Sequence, residues 1–233
     1  MSKRWTAVLL CCAVGVSVAG CSDGGGAGEP SAKQRLDRAN DTMRALKSVT
    51  VVTDTDFASG AGMSASLTTD LKSRCSYRTT SSRTGASLEQ IRIGETDYVR
   101  PNRAYLKESG RTTAGADEQR RWVKVPSSRA VAGDGLTDCT WPFASFGDVT
   151  EGQRTEVDGT PAVGLEVRDA KDEQGSYTFY VATEGKPYLL KVVHEGAQYD
   201  TTTSFGDFDE PLDVRPPAGA DVLDASGIGT PGG

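Results

Sequence analysis

Residues 176–205 read SYTFYVATEGKPYLLKVVHEGAQYDTTTSF, three runs in which large apolar and smaller polar side chains alternate, divided at Glu184-Gly185 and Glu195-Gly196. Alternation at a period of two marks a half-buried strand, and a Gly-containing dipeptide between two such runs marks a hairpin. The stretch therefore predicts three antiparallel strands over 176–182, 187–194 and 198–205. A two-residue turn at Glu184-Gly185 sets Phe179 opposite Leu190, Tyr177 opposite Val192 and Val181 opposite Tyr188, with all six side chains on one face. A face this apolar needs a second layer to cover it.

Working outward, Asp158-Gly159 predicts a hairpin joining 154–157 to 161–167, with Pro161 at a strand start or edge because it lacks an N–H for the ladder. Nearer the N-terminus, Val49-Thr50-Val51-Val52-Thr53 is β-branched throughout and reads as strand. Residues 63–71 place Met63, Ala65, Leu67 and Thr69 on one face. Residues 87–93 set Ile91 and Ile93 against Gln90 and Arg92, and Gly94-Glu95 turns the chain into a strand at 98–100. Residues 102–106 and 122–125 read as further short strands, 108–121 as a surface loop, and 127–132 and 142–146 as single helical turns. The covering layer comes from 30–47, where Leu36, Ala39, Met43 and Leu46 recur at helical spacing and Ser31 stands ready to cap.

The first 20 residues read as a secretory leader: Lys3 and Arg4 precede an uncharged apolar run from Trp5 to Val18 that is short for a membrane span. The run closes in Val18-Ala19-Gly20-Cys21, a pattern that resembles the bacterial lipobox and makes Cys21 the expected site of lipidation by diacylglyceryl and palmitate-type chains. Ser22-Asp23-Gly24-Gly25-Gly26-Ala27-Gly28 then forms a flexible tether. Two acyl chains suffice for stable anchoring to the cell membrane on its extracytoplasmic side. With Cys11 and Cys12 in the leader and Cys21 acylated, Cys75 and Cys139 remain. In an oxidising compartment such a pair reads as a disulfide, worth about 4 kcal/mol through the chain entropy it removes from the unfolded state.

Composition excludes several classes. The 233 residues carry 26 Lys plus Arg against 32 Asp plus Glu, a net charge of −6, which argues against nucleic-acid binding through bulk positive charge. The single histidine, His194, rules out metal sites built on two imidazoles of one chain. His194 has no Gly-x-Ser-x-Gly elbow to serve and reads as a surface strand end. Asp54 and Asp56 offer too few oxygens for calcium and read as a solvated face. Asn40-Asp41-Thr42 matches a glycosylation sequon but falls within the helix. Gly60-Ala61-Gly62 lies between strands and reads as a turn. No metal, cofactor or catalytic group is expected, and the chain does not read as an enzyme.

The closing segment Phe205-Gly206-Asp207-Phe208-Asp209-Glu210-Pro211-Leu212-Asp213-Val214-Arg215-Pro216-Pro217, with the strand pair around Glu184-Gly185-Lys186-Pro187 and the turn at Val157-Asp158-Gly159, resembles actinobacterial lipoproteins of the LppX and LprG type, within the wider LolA-like group. The resemblance implies an α+β fold, a half-open antiparallel β-barrel with an N-terminal helix and short helices over its concave face, enclosing an apolar cavity for acylated lipids. On that basis residues 1–20 are the leader, 21–29 the lipidated tether, 30–225 a single LolA-like domain and 226–233 a disordered tail. The expected cavity lining is Leu36, Met43, Leu46, Tyr177, Phe179, Leu190 and Val192. Three functions are weighed, an enzyme ranking last because it would need a nucleophile and base that the sequence does not offer. The first is a membrane-anchored carrier of an acylated lipid or other apolar ligand. The second is an envelope module with a filled core that touches a protein partner. An apolar void of about 300 Å³ or more separates the first from the second.

Overall fold

The computed structural model describes residues 29–110, 121–130, 135–169 and 175–225. The leader, Cys21, the tether, most of the 108–121 loop and the 226–233 tail lie outside the described residues.

Helix α1 (Ala32–Arg44) begins where Ser31 Oγ accepts from the Gln34 amide at 3.3 Å while the Gln34 side chain accepts from the Ser31 amide at 3.0 Å, a reciprocal cap. Its stripe of Leu36, Ala39 and Met43 is fully buried. Among the described residues twelve strands follow: β1 (Val49–Phe57), β2 (Gly62–Thr69), β3 (Arg74–Ser81), β4 (Ser87–Ile93), β5 (Thr96–Pro101), β6 (Trp122–Pro126), β7 (Asp148–Val157), β8 (Thr160–Arg168), β9 (Ser176–Ala182), β10 (Leu189–Glu195), β11 (Tyr199–Gly206) and β12 (Val222–Asp224). They form one sheet in the order β12-β6-β5-β4-β3-β2-β1-β11-β10-β9-β8-β7. Every pairing is antiparallel except β12 with β6. The two edges do not meet, so the sheet is open, the half-open barrel that the resemblance implied.

Side chains at registered positions trace one inner face across the central strands: Cys75 opposite Thr69, Thr69 opposite Val49, Leu67 opposite Val51, Val51 opposite Phe205, and Val192 opposite Phe179. Nearly all of these join Leu36, Met43 and Leu46 in the principal core. The closing segment ties this core to the helix. Asp209 Oδ1 accepts the Lys47 amide at 2.8 Å, the Asp209 amide donates to Ser48 O at 3.0 Å, and Ser48 Oγ donates to Glu210 O at 2.6 Å. Asp209 reaches these contacts at φ of 61°, and Asp207 just before it sits at 51°, a left-handed conformation that aspartate tolerates better than most residues.

Four expectations are corrected. The Glu184-Gly185 connection is longer than two residues, because β9 ends at Ala182 and β10 starts at Leu189. Pro187 cannot donate to a ladder, and Tyr188 is drawn into a parallel stack on Phe208 with centroids 4.2 Å apart. The register moves with it: Val181 faces Leu189, Tyr180 faces Lys191 and Phe179 faces Val192, which leaves Leu190 as the extra residue of a bulge. Leu190 consequently packs in a separate cluster with Val157, Ala162 and Ala182, away from Phe179. Residues 102–106 are helical rather than extended: Asn102 Oδ1 accepts the Tyr105 amide at 2.9 Å and caps α2 (Arg103–Glu108). Residues 142–146 form no helical turn and run as irregular chain. In β4 the face is inverted, since Leu88, Gln90 and Arg92 are buried and Ile91 and Ile93 are half-buried. Strands β3 and β12, rich in polar residues or very short, have no counterpart among the sequence expectations.

Candidate functional site: two apolar cavities beside a crossing segment

Strand β7 is one edge of the sheet and β6 lies one strand in from the other, so the chain between them must cross the sheet. It crosses the inner face, held at successive points. Gln90 Oε1 accepts the Thr137 amide at 2.9 Å, and Gln90 Nε2 donates to Thr137 O at 3.1 Å. Arg92 Nη1 donates to Asp138 Oδ1 at 2.7 Å. Cys139 is disulfide-bonded to Cys75 with Cα atoms 5.3 Å apart, and its carbonyl accepts from the Thr69 hydroxyl. Arg44 Nη1 donates to Phe143 O at 2.6 Å, and Asn40 Nδ2 donates to Ser145 Oγ at 2.9 Å.

Three aromatic side chains on this segment fill the space over β9–β11. Trp141 and Phe143 lie 5.9 Å and 5.8 Å from the Phe205 ring, and Phe146 meets Tyr177 and Phe179 edge-on at 5.0 Å and 5.7 Å. A cavity of about 190 Å³ remains there, lined in part by Asn40, Tyr177, Phe179, Val192 and Thr203. Of the expected lining, Tyr177, Phe179 and Val192 are therefore brought together. Leu36, Met43 and Leu46 are consumed by the solid core, and Leu190 belongs to the other cluster.

A larger apolar cavity, about 350 Å³, opens at the far side of the same face, between α2 and strands β4–β6. Val99 registers against Val123 and Leu88 against Pro101 to make its sheet wall, while Tyr105 and Leu106 of α2 and Leu136 of the crossing segment face them. Gly135 sits at φ 81°, and a Cβ there would fall 2.3 Å from Tyr105 Oη, so glycine permits this close approach of the crossing segment to α2. None of these residues was singled out in the sequence. The alternation of Val123 and Val125 was the available signal, but the partner wall comes from a helix that the sequence disguises as strand.

The remaining candidates carry no cluster. His194 is 6% exposed, a buried position rather than the expected surface one, with its ring 4.5 Å from that of Tyr177 and 5.0 Å from that of Tyr199. Asp54 and Asp56 alternate with the inner-face residues of β1 and so lie on the outer face. Among the described residues no three His, Cys, Asp or Glu side chains gather where they would hold a metal ion. Asn40 is 1% exposed, which removes the sequon from the surface. No helix of the described residues is long and apolar enough to cross a membrane.

Arg92 is held on three sides by the carboxylates of Asp97 and Asp138, and its hydrogen bonds to Asp97 above all raise the guanidinium's affinity for its proton, against the cost of burial. Its charge is permanent, so the clasp on the crossing segment does not titrate away at the guanidinium.

No protein family and no curated protein matches this chain in sequence. Solved structures do. LprF from Mycobacterium bovis superposes with a TM-score of 0.57 over 82% of this chain and 100% of its own, at 16% identity. The chain has the fold of the actinobacterial LppX/LprG-type lipoproteins. The lipoprotein LppX from Mycobacterium tuberculosis is also similar, with a TM-score of 0.47, 12% identity, and 78% and 97% of the two chains covered. At these identities the likeness to LprF speaks for the path of the chain and leaves each cavity to be judged on its own residues.

Proposed function

We propose that this chain is a lipoprotein of the cell envelope, anchored on the extracytoplasmic face of the membrane through Cys21, that carries an acylated lipid or another apolar ligand and makes or breaks no bond in it. The observation that carries the reading is the apolar cavity of about 350 Å³ between α2 and β4–β6, which exceeds the roughly 300 Å³ at which small-molecule sites begin. A ligand there replaces water against Leu88, Val99, Val123 and Leu106, and each Å² of apolar surface so covered is worth about 25 cal/mol. The shared fold with LprF supports an envelope location.

The test is direct. The chain from residue 22 onward retains every described residue; prepared from a host with its own lipids and extracted with organic solvent, it should release acylated molecules detectable by mass spectrometry. A chain that releases none, and whose melting temperature does not rise when lipids are added, is not a carrier.

A second reading has one observation in its favour. Over β9–β11 the chain fills its own inner face with Trp141, Phe143 and Phe146, leaving only about 190 Å³. A protein-interaction module of the envelope has such a filled interior, and it is the reading that the failed extraction would support.

A further inference from the structure

We propose that β7 is the surface through which two copies of this chain associate, edge to edge and antiparallel, about a two-fold axis between Gly152 and Gln153; this goes beyond the carrier reading and does not depend on it. Strand β7 ends the sheet and runs for ten residues, whereas the opposite edge, β12, has three. Among the described residues the backbone of β7 pairs with β8 alone. The row of N–H and C=O groups directed away from β8 therefore stands open, a template on which another strand can add.

The bulge in β7 decides which strand fits. Glu151 registers with Leu165 and Arg154 with Val163, two core residues, so both charged residues stand on the inner face although they are three positions apart. In a regular strand such a pair would lie on opposite faces. Strands related by a two-fold axis perpendicular to their sheet must match inner to inner and outer to outer. With the axis between Gly152 and Gln153 they do: Glu151 faces the partner's Arg154 on the inner face, and Thr150 faces the partner's Thr155 on the outer one, where Thr150 registers with Glu166 and Thr155 with Ala162. Opposite charges and paired threonines both favour cross-strand pairing. Within one chain Glu151 meets Arg35 and Arg154 meets Glu29, each at 3.3 Å, so the added contacts extend two ion pairs into a row of alternating sign and break neither. Charges and a bulge shield an edge from most strands, yet this pattern is complementary to itself. Glu29, which follows the tether in sequence, meets Arg154 beside the axis, so under the proposed anchor both copies are held to one membrane from neighbouring points, which raises their effective concentration.

A bulge and charges that serve only to shield the edge would leave no copy on it. The two roles separate in a cross-link that this register alone allows, at the exposed Thr150 and Thr155. In the full chain, exported and held in the membranes of its host, Thr150→Cys with Thr155→Cys should oxidise to a disulfide-linked dimer on a non-reducing gel. Neither single variant should do so, because each new thiol then lies opposite a threonine, and the two single variants produced together should give the mixed dimer. Five strand positions, about 16 Å, forbid the bond within one chain. Adding Glu151→Arg to the double-cysteine chain should lower the dimer yield about threefold, and adding Arg154→Glu as well should restore it. No dimer from the double-cysteine chain or from the paired single variants, an equal yield from either single variant alone, or a yield that does not follow the two charge changes would overturn the proposal. None of these outcomes bears on lipid extraction, so the carrier reading stands or falls separately.

Discussion

Arg92 grips Asp97 with two prongs, Nε to Oδ1 at 2.7 Å and Nη2 to Oδ2 at 2.8 Å, across neighbouring strands and with the carboxylate wholly buried. Gln90 Nε2 adds a third donor to Asp97 Oδ1 at 2.9 Å. This pair fixes which face of β4 turns inward and at the same time holds Asp138 of the crossing segment. Removing one partner leaves the other charged and dry, so Asp97→Ala should cost about 3–5 kcal/mol of unfolding free energy, measured by urea denaturation. Replacing Arg92 and Asp97 together by apolar residues of similar volume should cost much less.

The disulfide spans a sequence separation of 64 and joins β3 to the crossing segment. On the chain-entropy estimate its removal by Cys75→Ser with Cys139→Ser should cost about 4 kcal/mol. In the exported chain, neither cysteine should react with an alkylating reagent in denaturant until reductant is added. Two alkylated thiols before reduction would show the bond is not formed in the cell.

Gly147 turns the crossing segment into β7 at φ 61°, and a Cβ there would lie 2.2 Å from the carbonyl oxygen of Arg168. Both the backbone conformation and the backbone neighbour oppose a side chain. Gly147→Ala should therefore lower stability by about 1–3 kcal/mol, read from the urea midpoint at unchanged slope.

Cavity and core separate in two substitutions. Val123→Phe places a ring in the larger cavity and should reduce co-extracted lipid with little loss of stability. Leu190→Ala lies in the other cluster, and should cost about 2–4 kcal/mol while leaving lipid content per folded molecule unchanged. The reverse pattern would place the ligand on the wrong side of the sheet for this proposal.

Cys21→Ser should accumulate as unprocessed precursor, or appear as soluble chain if another peptidase cuts the leader. Immunoblotting of membrane and soluble fractions distinguishes these from an unaltered membrane-bound form, which would remove the anchor from the proposed function.

The β9–β10 hairpin marks where local reading stops. Its strands were visible in the alternation of Tyr177, Phe179 and Val181, but its register was not. That register was set by Tyr188 stacking on Phe208, twenty residues along the chain, and by the missing donor at Pro187. The consequence reached the site, since Leu190 left the face on which a two-residue turn would have put it. Helix α2 was missed for a similar reason. Asn102 acts as its cap only because the chain leaves β5 at Pro101, whereas Tyr105-Leu106 taken alone has the composition of a strand.

The chain's own order of residues decided whatever depends on near neighbours: the Ser31 cap and buried stripe of α1, the Asp158-Gly159 turn, and the meander of β9–β11. Composition added the pair Cys75 and Cys139 as the two cysteines left to bond. Tertiary structure alone decided which way β4 faces and where the open space lies. A polar face turns inward when distant groups satisfy it, and Arg92 finds Asp138 46 residues away, a partner that no hydrophobic pattern announces. The crossing segment then determines the cavities, because a chain that must pass from one side of an open sheet to the other spends Trp141, Phe143 and Phe146 on the half it covers and leaves the half beneath α2 unfilled.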